Sequence, residues 1–221
     1  MNNQSSTVSR IFTWIGLIVV LGLIVWGLIA ANNKAVQGRP KLTLLDPVTS
    51  ADWITGSTTA PVTVVEYSDL QCPACQSYHN LVLKKLIAEE GSKFRFVYRH
   101  FPLPQHMNAY TAALAAEAAG KQGKFWEMHD KLFETQKDWE KLATSTAAET
   151  FAGYAKTLGL DAAKFKSDES DPALFAKVAS SSESGNKTGV DSTPTFFVNG
   201  TSIDNPNSYD EFKAVIEKAA Q

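Results

Sequence analysis

Between Ile11 and Ala31 the chain reads IFTWIGLIVVLGLIVWGLIAA, 21 positions without one ionisable side chain. As a helix rising about 1.5 Å per residue, such a run matches a bilayer hydrocarbon core of about 30 Å. Trp14 and Trp26 lie toward its ends, where indole rings favour the membrane–water interface. A cleaved signal peptide has a shorter apolar region, roughly 7–15 residues, closed by a small-x-small site. The expectation is therefore a retained transmembrane anchor over 11–31, with a cytoplasmic tail over 1–10. A tether with a first short strand at Lys41–Leu45 is expected over 32–52, and a folded domain over 53–221. Local charge, with Arg10 before the span and Lys34, Arg39 and Lys41 after it, favours the opposite topology. Long domains translocate largely regardless of such charges, so an extracytoplasmic domain is argued from its chemistry.

The 190 residues after the anchor are enough for one domain with its own core. The formal net charge is −2, which supplies no basic field for nucleic acid and no acidic tail. The chain has only two cysteines, Cys72 and Cys75. A bridge so short closes almost no loop and removes little unfolded-state entropy, so structural stapling explains the pair poorly.

Val62–Tyr67 is β-branched and bounded by Pro61 and Ser68, the pattern of a buried strand. Gln76–Glu90 carries apolar residues at helical spacing and Gly91 can end it; Phe94–Tyr98 forms a second strand. From about Gln105 to Lys187 the pattern is helical, with Tyr110–Ala119, Lys124–Gln136, the set Phe151, Tyr154 and Leu158, a helix capped by Asp161, and Ala173–Ser180. Thr195–Val198, the Asn199-Gly200 turn and Thr201–Ile203 read as a hairpin, and Ser208 with Glu211 as a capping box for Tyr209–Ala220. The order predicts an α/β fold whose sheet is interrupted by a helical subdomain.

Cys72-Pro73-Ala74-Cys75 lies between a strand and the helix that follows. At a helix N-terminus, unsatisfied N–H groups and a partial charge of about +0.5 favour thiolate over thiol. Pro73 suits the first turn, where its missing N–H costs nothing. Cys72 is thus the attacking sulfur, and Cys75, one turn inside, resolves the mixed disulfide. A CxxC is also half of a zinc site, and His79 could share its helix face, but a tetrahedral set needs a fourth ligand and the chain has no second CxxC. No metal or cofactor is assigned, and His79, His100, His106 and His129 receive no role.

The segment Pro61–Cys75 resembles the active-site segment of DsbA-like proteins in the thioredoxin superfamily. Gly123–Phe133 and Ser192–Gly200 are similar to the same family in the same order, and the resemblance runs from about Trp53 to the end. It implies a thioredoxin-like fold with a helical insertion. It implies that Glu66, six residues before Cys72, is the buried acid that exchanges a proton with Cys75. It also implies that Pro194 is a cis-proline opposite the cysteines, leaving the backbone of Thr193 free to pair with a substrate peptide in extended form. Phe125, Trp126, Met128 and Phe133 remain core residues.

The resulting expectation is an extracytoplasmic oxidoreductase that introduces disulfides through a Cys72–Cys75 redox pair. Its substrates would be reduced or misoxidised exported proteins, and a quinone-linked membrane protein would reoxidise it. A reductase or isomerase, a module holding zinc or copper(I) through Cys72, Cys75 and His79, and a non-catalytic thioredoxin-like scaffold are the alternatives.

Overall fold

A computed structural model describes residues 4–37 and 40–221, with side chains described for 13–29 and 40–221. It divides into two compact units, 1–40 and 41–221.

The first unit is helix α1, Gln4–Gln37. It continues beyond Ala31 through a stretch expected to be tether; residues 1–3 of the expected tail and 38–39 of the tether lie outside the described residues. Trp14, Ile18, Leu23, Trp26 and Leu28 on it are exposed. The expected anchor, 11–31, extends at both ends past the side chains described, and among the described residues no helix is long and apolar enough to cross a membrane.

The second unit is built on a sheet of β1 (Trp53–Gly56), β2 (Val62–Ser68), β3 (Phe94–His100), β4 (Thr195–Val198) and β5 (Thr201–Ser202). Their order is β1-β3-β2-β4-β5, with β2 and β3 parallel and the other neighbours antiparallel. The central position of β2 explains its near-continuous apolar run, since both of its faces are covered. Val64 and Phe96 look toward the larger core; Val65, Tyr67 and Val97 look toward a smaller one with Phe101 and Phe197.

Between β2 and β3 run α2 (Pro73–Tyr78), a π-helical turn (His79–Leu83) and α3 (Lys84–Glu90). The helix starts at Pro73 with Cys72 just before it, as the suitability of proline for the first turn predicts. Helices α4 (Ala109–Gly120), α5 (Phe125–Glu134), α6 (Gln136–Trp139), α7 (Thr144–Thr157), α8 (Ala162–Asp168) and α9 (Pro172–Thr188) fill the interval between β3 and β4, and α10 (Tyr209–Ala219) closes the chain. In α4 seven alanines are buried along with Leu114, and the small alanine side chains let neighbours approach closely. Gly120 ends that helix where the indole of Trp53 presses in; an added Cβ would stand 2.3 Å from its Cζ2.

One local expectation fails, and one strand was not expected. Lys41–Leu45 is not a strand: it makes a single bridge, Thr43 to Thr201, beside the two-residue β5, which offers little edge to extend. Trp53–Gly56 is a strand the sequence reading did not anticipate; four residues ending in glycine give too little alternation to recognise. Asn199 (φ 47) and Gly200 (φ 84) form the hairpin turn, and the left-handed pair matches the twist of β4 and β5. Ser208 Oγ accepts from the Glu211 N–H at 3.2 Å, but Glu211 reaches back to the N–H of Asn207, one residue earlier than a capping box requires.

Candidate active site

Cys72 occupies the position just before α2 with extended backbone angles (φ −70°, ψ 122°), so the chain turns from loop to helix at the sulfur-bearing residue. Its N–H donates to Asp69 O at 3.0 Å and its carbonyl accepts from the Gln76 N–H at 3.0 Å. Both cysteines are free thiols; Cys72 is 6% exposed and Cys75 is fully buried. Cys72 Sγ donates to the carbonyl of Thr193 at 3.6 Å. The Thr193–Pro194 peptide bond is cis, and Asn205 Nδ2 fixes the Pro194 carbonyl at 2.8 Å. The N–H of Thr193 has no acceptor among the described residues.

The two sulfurs differ electrostatically. The Cys72 thiol is lowered to about 5, chiefly by a hydrogen bond from the Cys75 thiol. Burial opposes this, while the Thr193 hydroxyl and the N–H groups of Cys75 and Ala74 reinforce it. Thr193 Oγ1 has no hydrogen-bond partner while Cys72 is a thiol. Its hydroxyl can turn toward the sulfur once that becomes an anion, because the proton rotates freely. Cys75 is pushed well above the ordinary thiol range by burial, and further by the negative charges of Cys72 and Glu66.

Glu66 lies on β2, on the face that carries the larger core, and is 1% exposed. Burial raises its carboxyl to about 8; the Ser68 hydroxyl pulls the other way without closing a hydrogen bond of normal geometry. Tyr98, the register partner of Glu66 on β3, presents a buried hydroxyl that also lacks a partner, so three polar groups share this pocket beneath the cysteines. A carboxyl kept neutral at pH 7 beside a thiol that resists ionisation can carry the proton that thiol must lose or gain.

Cys72, Cys75, Thr193 and Pro194 are brought together at the ends of β2 and β4, with Glu66 beneath. Further residues, not anticipated from sequence, hold the loop. Asp69 is buried; its Oδ1 accepts from Gln71 N (2.7 Å), and its Oδ2 from Leu103 N (2.9 Å) and pairs with His106 Nδ1 (2.6 Å). Gln136 Nε2, from the helical insert, donates to Leu70 O (2.8 Å) and Cys72 O (3.1 Å). The short Ser68-Asp69 step before the cysteines was a signal for the first, since aspartate readily caps its own turn; nothing in sequence pointed to Gln136.

His79 sits one helical turn after Cys75, in the π-helical turn, but faces away from Cys72 toward α5. It packs on Phe133 (5.0 Å, 23°) and against His129 (5.0 Å, 85°). It is therefore not a shared ligand of the cysteine pair. Burial lowers His79 to about 3 and also pushes His129 down, leaving both rings neutral.

A family model described as thioredoxin matches residues 49–218. The Na(+)/H(+) antiporter NhaA 3 of Salinispora tropica is 36% identical over 194 residues, covering 86% of this chain and 28% of that protein. The Na(+)/H(+) antiporter NhaA 1 of Salinispora arenicola is 40% identical over 150 residues, covering 67% of this chain and 22% of that protein. The chain thus spans about a quarter of the length of the curated relatives it matches. Among solved structures, oxidised BdbD from Bacillus subtilis superposes with a TM-score of 0.70 at 28% identity, covering 81% of this chain and 98% of that one. Alpha-DsbA1 from Wolbachia pipientis gives 0.70 at 22% identity over 80% and 94%, a likeness of fold. A thioredoxin-like oxidoreductase from Silicibacter pomeroyi gives 0.63 at 25% identity over 77% and 93%.

Proposed function

Since the chain belongs to the thioredoxin family, among its DsbA-like thiol–disulfide oxidoreductases, we propose that it acts as an oxidase, transferring the Cys72–Cys75 disulfide to reduced or misoxidised exported proteins. One observation carries the direction: Cys72 is held near 5 while Cys75 is pushed well above its ordinary value. In thiol–disulfide exchange the sulfur with the lower pKa leaves faster, and stabilising the reduced form makes the disulfide a stronger oxidant.

The exchange has two displacements. A substrate thiolate attacks Cys72 Sγ, the Cys72–Cys75 bond breaks, and Cys75 leaves with the electron pair. Glu66, neutral at pH 7, supplies the proton that Cys75 takes up, so the negative charge passes from the more basic thiolate to the carboxylate, which then recovers a proton from solvent. A second substrate thiolate then attacks the substrate sulfur of the mixed disulfide and expels Cys72 as a stable thiolate. The substrate loses two electrons and gains a disulfide; the protein ends as Cys72 thiolate and Cys75 thiol. The free N–H of Thr193 and its carbonyl, which approaches Cys72, suit an extended peptide laid beside the cis-proline.

Continued turnover requires reoxidation, which we assign to a quinone-linked membrane protein. The apolar run Ile11–Ala31 supports a single-pass anchor in the cell membrane, with the catalytic domain on the extracytoplasmic side. Confining both proteins to one surface raises their effective concentration. The antiporter activity named for the curated relatives is not carried over, because the match covers only 28% and 22% of their length.

Equilibration against glutathione tests the direction. The expected potential lies above about −200 mV; a value near about −270 mV, in the thioredoxin range, would make the protein a reductase and overturn the proposal.

A further inference from the structure

Away from the exchange site, the π-helical turn after α2 meets α5 through two histidines and an aspartate. Single π-turns within α-helices are frequent at functional sites, because the extra residue re-aims a side chain. Here His79 opens that turn and is directed at α5. Its Nε2 stands 3.3 Å from Asp130 Oδ1, and His129 Nδ1 stands 2.9 Å from the same oxygen. One ligand atom from each of the three residues lies within 4.8 Å of the others.

We propose that His79, His129 and Asp130 form a binding site for a divalent cation of the zinc class. Ligand atoms bound at about 2.0–2.1 Å on a tetrahedral ion stand about 3.3–3.4 Å apart. The His79 separation meets that spacing and the His129 separation, at 2.9 Å, is shorter, so closure requires small shifts of the two imidazoles around Asp130. His79 Nε2 is buried and makes no hydrogen bond, which leaves it directed into the cluster without a committed partner. His129 Nδ1 can give up its contact with Asp130 for a metal by carrying its proton on Nε2, a nitrogen that is also without a partner. Two imidazoles and one carboxylate favour zinc, copper or nickel over calcium and magnesium, which prefer oxygen alone.

Access comes from Asp130, whose side chain is 38% exposed while His79 and His129 are 3% and 2% exposed. A cation would enter past the carboxylate, take the two buried nitrogens and keep a water or an external ligand in the fourth position. Lys84 is close by but is held in an ion pair with Glu134, so its charge is offset. Bound metal would tie the turn that follows Cys75 to the helical insert. The site shares no ligand with the cysteine pair and does not depend on the direction of exchange.

The test uses the untagged full chain with Cys72 and Cys75 oxidised to the disulfide, so that thiolates cannot ligate. Calorimetry with Zn2+ is expected to give one ion per chain, a raised Tm, and with Co2+ the visible bands of a tetrahedral nitrogen–oxygen site. Asp130→Asn, at a half-exposed position that tolerates an isostere, and His79→Gln are each expected to weaken Zn2+ by at least about tenfold. Absence of one-to-one binding in the oxidised chain, or unchanged affinity in Asp130→Asn, overturns the proposal.

Discussion

Replacing Cys75 with alanine removes the hydrogen bond that contributes most to the acidity of Cys72. With the native pair reduced, Cys72 has a midpoint of about 5. At pH 6 such a thiol is about 90% ionised, against about 0.3% for an ordinary thiol near 8.5. Its intrinsic nucleophilicity is lower by roughly 25–55-fold, from a Brønsted slope of about 0.4–0.5 over about 3.5 units. The net advantage in alkylation at pH 6 is therefore about 5–10-fold, and by pH 8 it becomes a disadvantage of about the same size. A hydrogen bond to a charged group contributes about 1.5–3 kcal/mol. At about 1.4 kcal/mol per unit, its loss moves the midpoint up by about 1–2 units, to about 6–7. The assay is the rate of iodoacetamide alkylation against pH for the wild type and for Cys75→Ala, paired with the ultraviolet absorbance of the thiolate. Restricted access to Cys72 scales every rate equally and leaves the midpoint untouched. A wild-type midpoint above 8, or one that does not move in Cys75→Ala, would refute the reasoning.

Glu66 is neutral in the folded chain up to about 8 but ionises near 4.5 when unfolded, so its raised pKa favours folding at low pH and that contribution is lost as pH rises through about 8. Glu66→Gln, which cannot ionise, should gain stability over the wild type across this window, by a few kcal/mol on the order-of-magnitude scale, while release of Cys75 slows roughly 10²-fold; equal melting curves at pH 5 and pH 8 would reject the assignment. Gly120→Ala should lower Tm, by about 1–3 kcal/mol of stability, because its methyl group would enter the Trp53 indole, which is stacked on Phe125 at 4.2 Å and bound to Glu117 at 2.7 Å and cannot withdraw; a stabilised variant would show that helix propensity outweighs packing there.

What could be read in the sequence was whatever is local. The strand, the CxxC and the helix start are contiguous, and proline at the first helical position marks the boundary by its own chemistry. The β-branched run of β2 and the Asn199-Gly200 turn were legible for the same reason. The π-helical turn was not, since His79–Leu83 keeps apolar residues near helical spacing whether or not one residue is inserted. Nor were contacts made across long sequence separations: Gln71 receives Asn108 N from 37 residues away, and Gln136 reaches Cys72 from 64. Buried amide and carboxylate groups of this kind are recognisable only once their partners are in place.

Those distant contacts give the helical insert a role in the chemistry. The sheet and α2 alone would leave the carbonyl of Leu70 without a donor and that of Cys72 with only the Gln76 N–H, at the point where the loop must hold Cys72 against Thr193. Gln136 Nε2 satisfies both carbonyls from α6, Gln71 Nε2 donates to Glu140 O at 2.7 Å, and Asp69 secures the segment after β3 through Leu103 and His106. The loop is thereby fixed from two sides, by the strand beneath it and by the insert above it. A thiolate stabilised by several weak donors depends on such fixation, because each donor contributes only while its angle and distance to the sulfur are kept. The insert thus holds the loop that presents Cys72, while the groups that lower its pKa are the Cys75 thiol, the Thr193 hydroxyl and the N–H groups of Cys75 and Ala74.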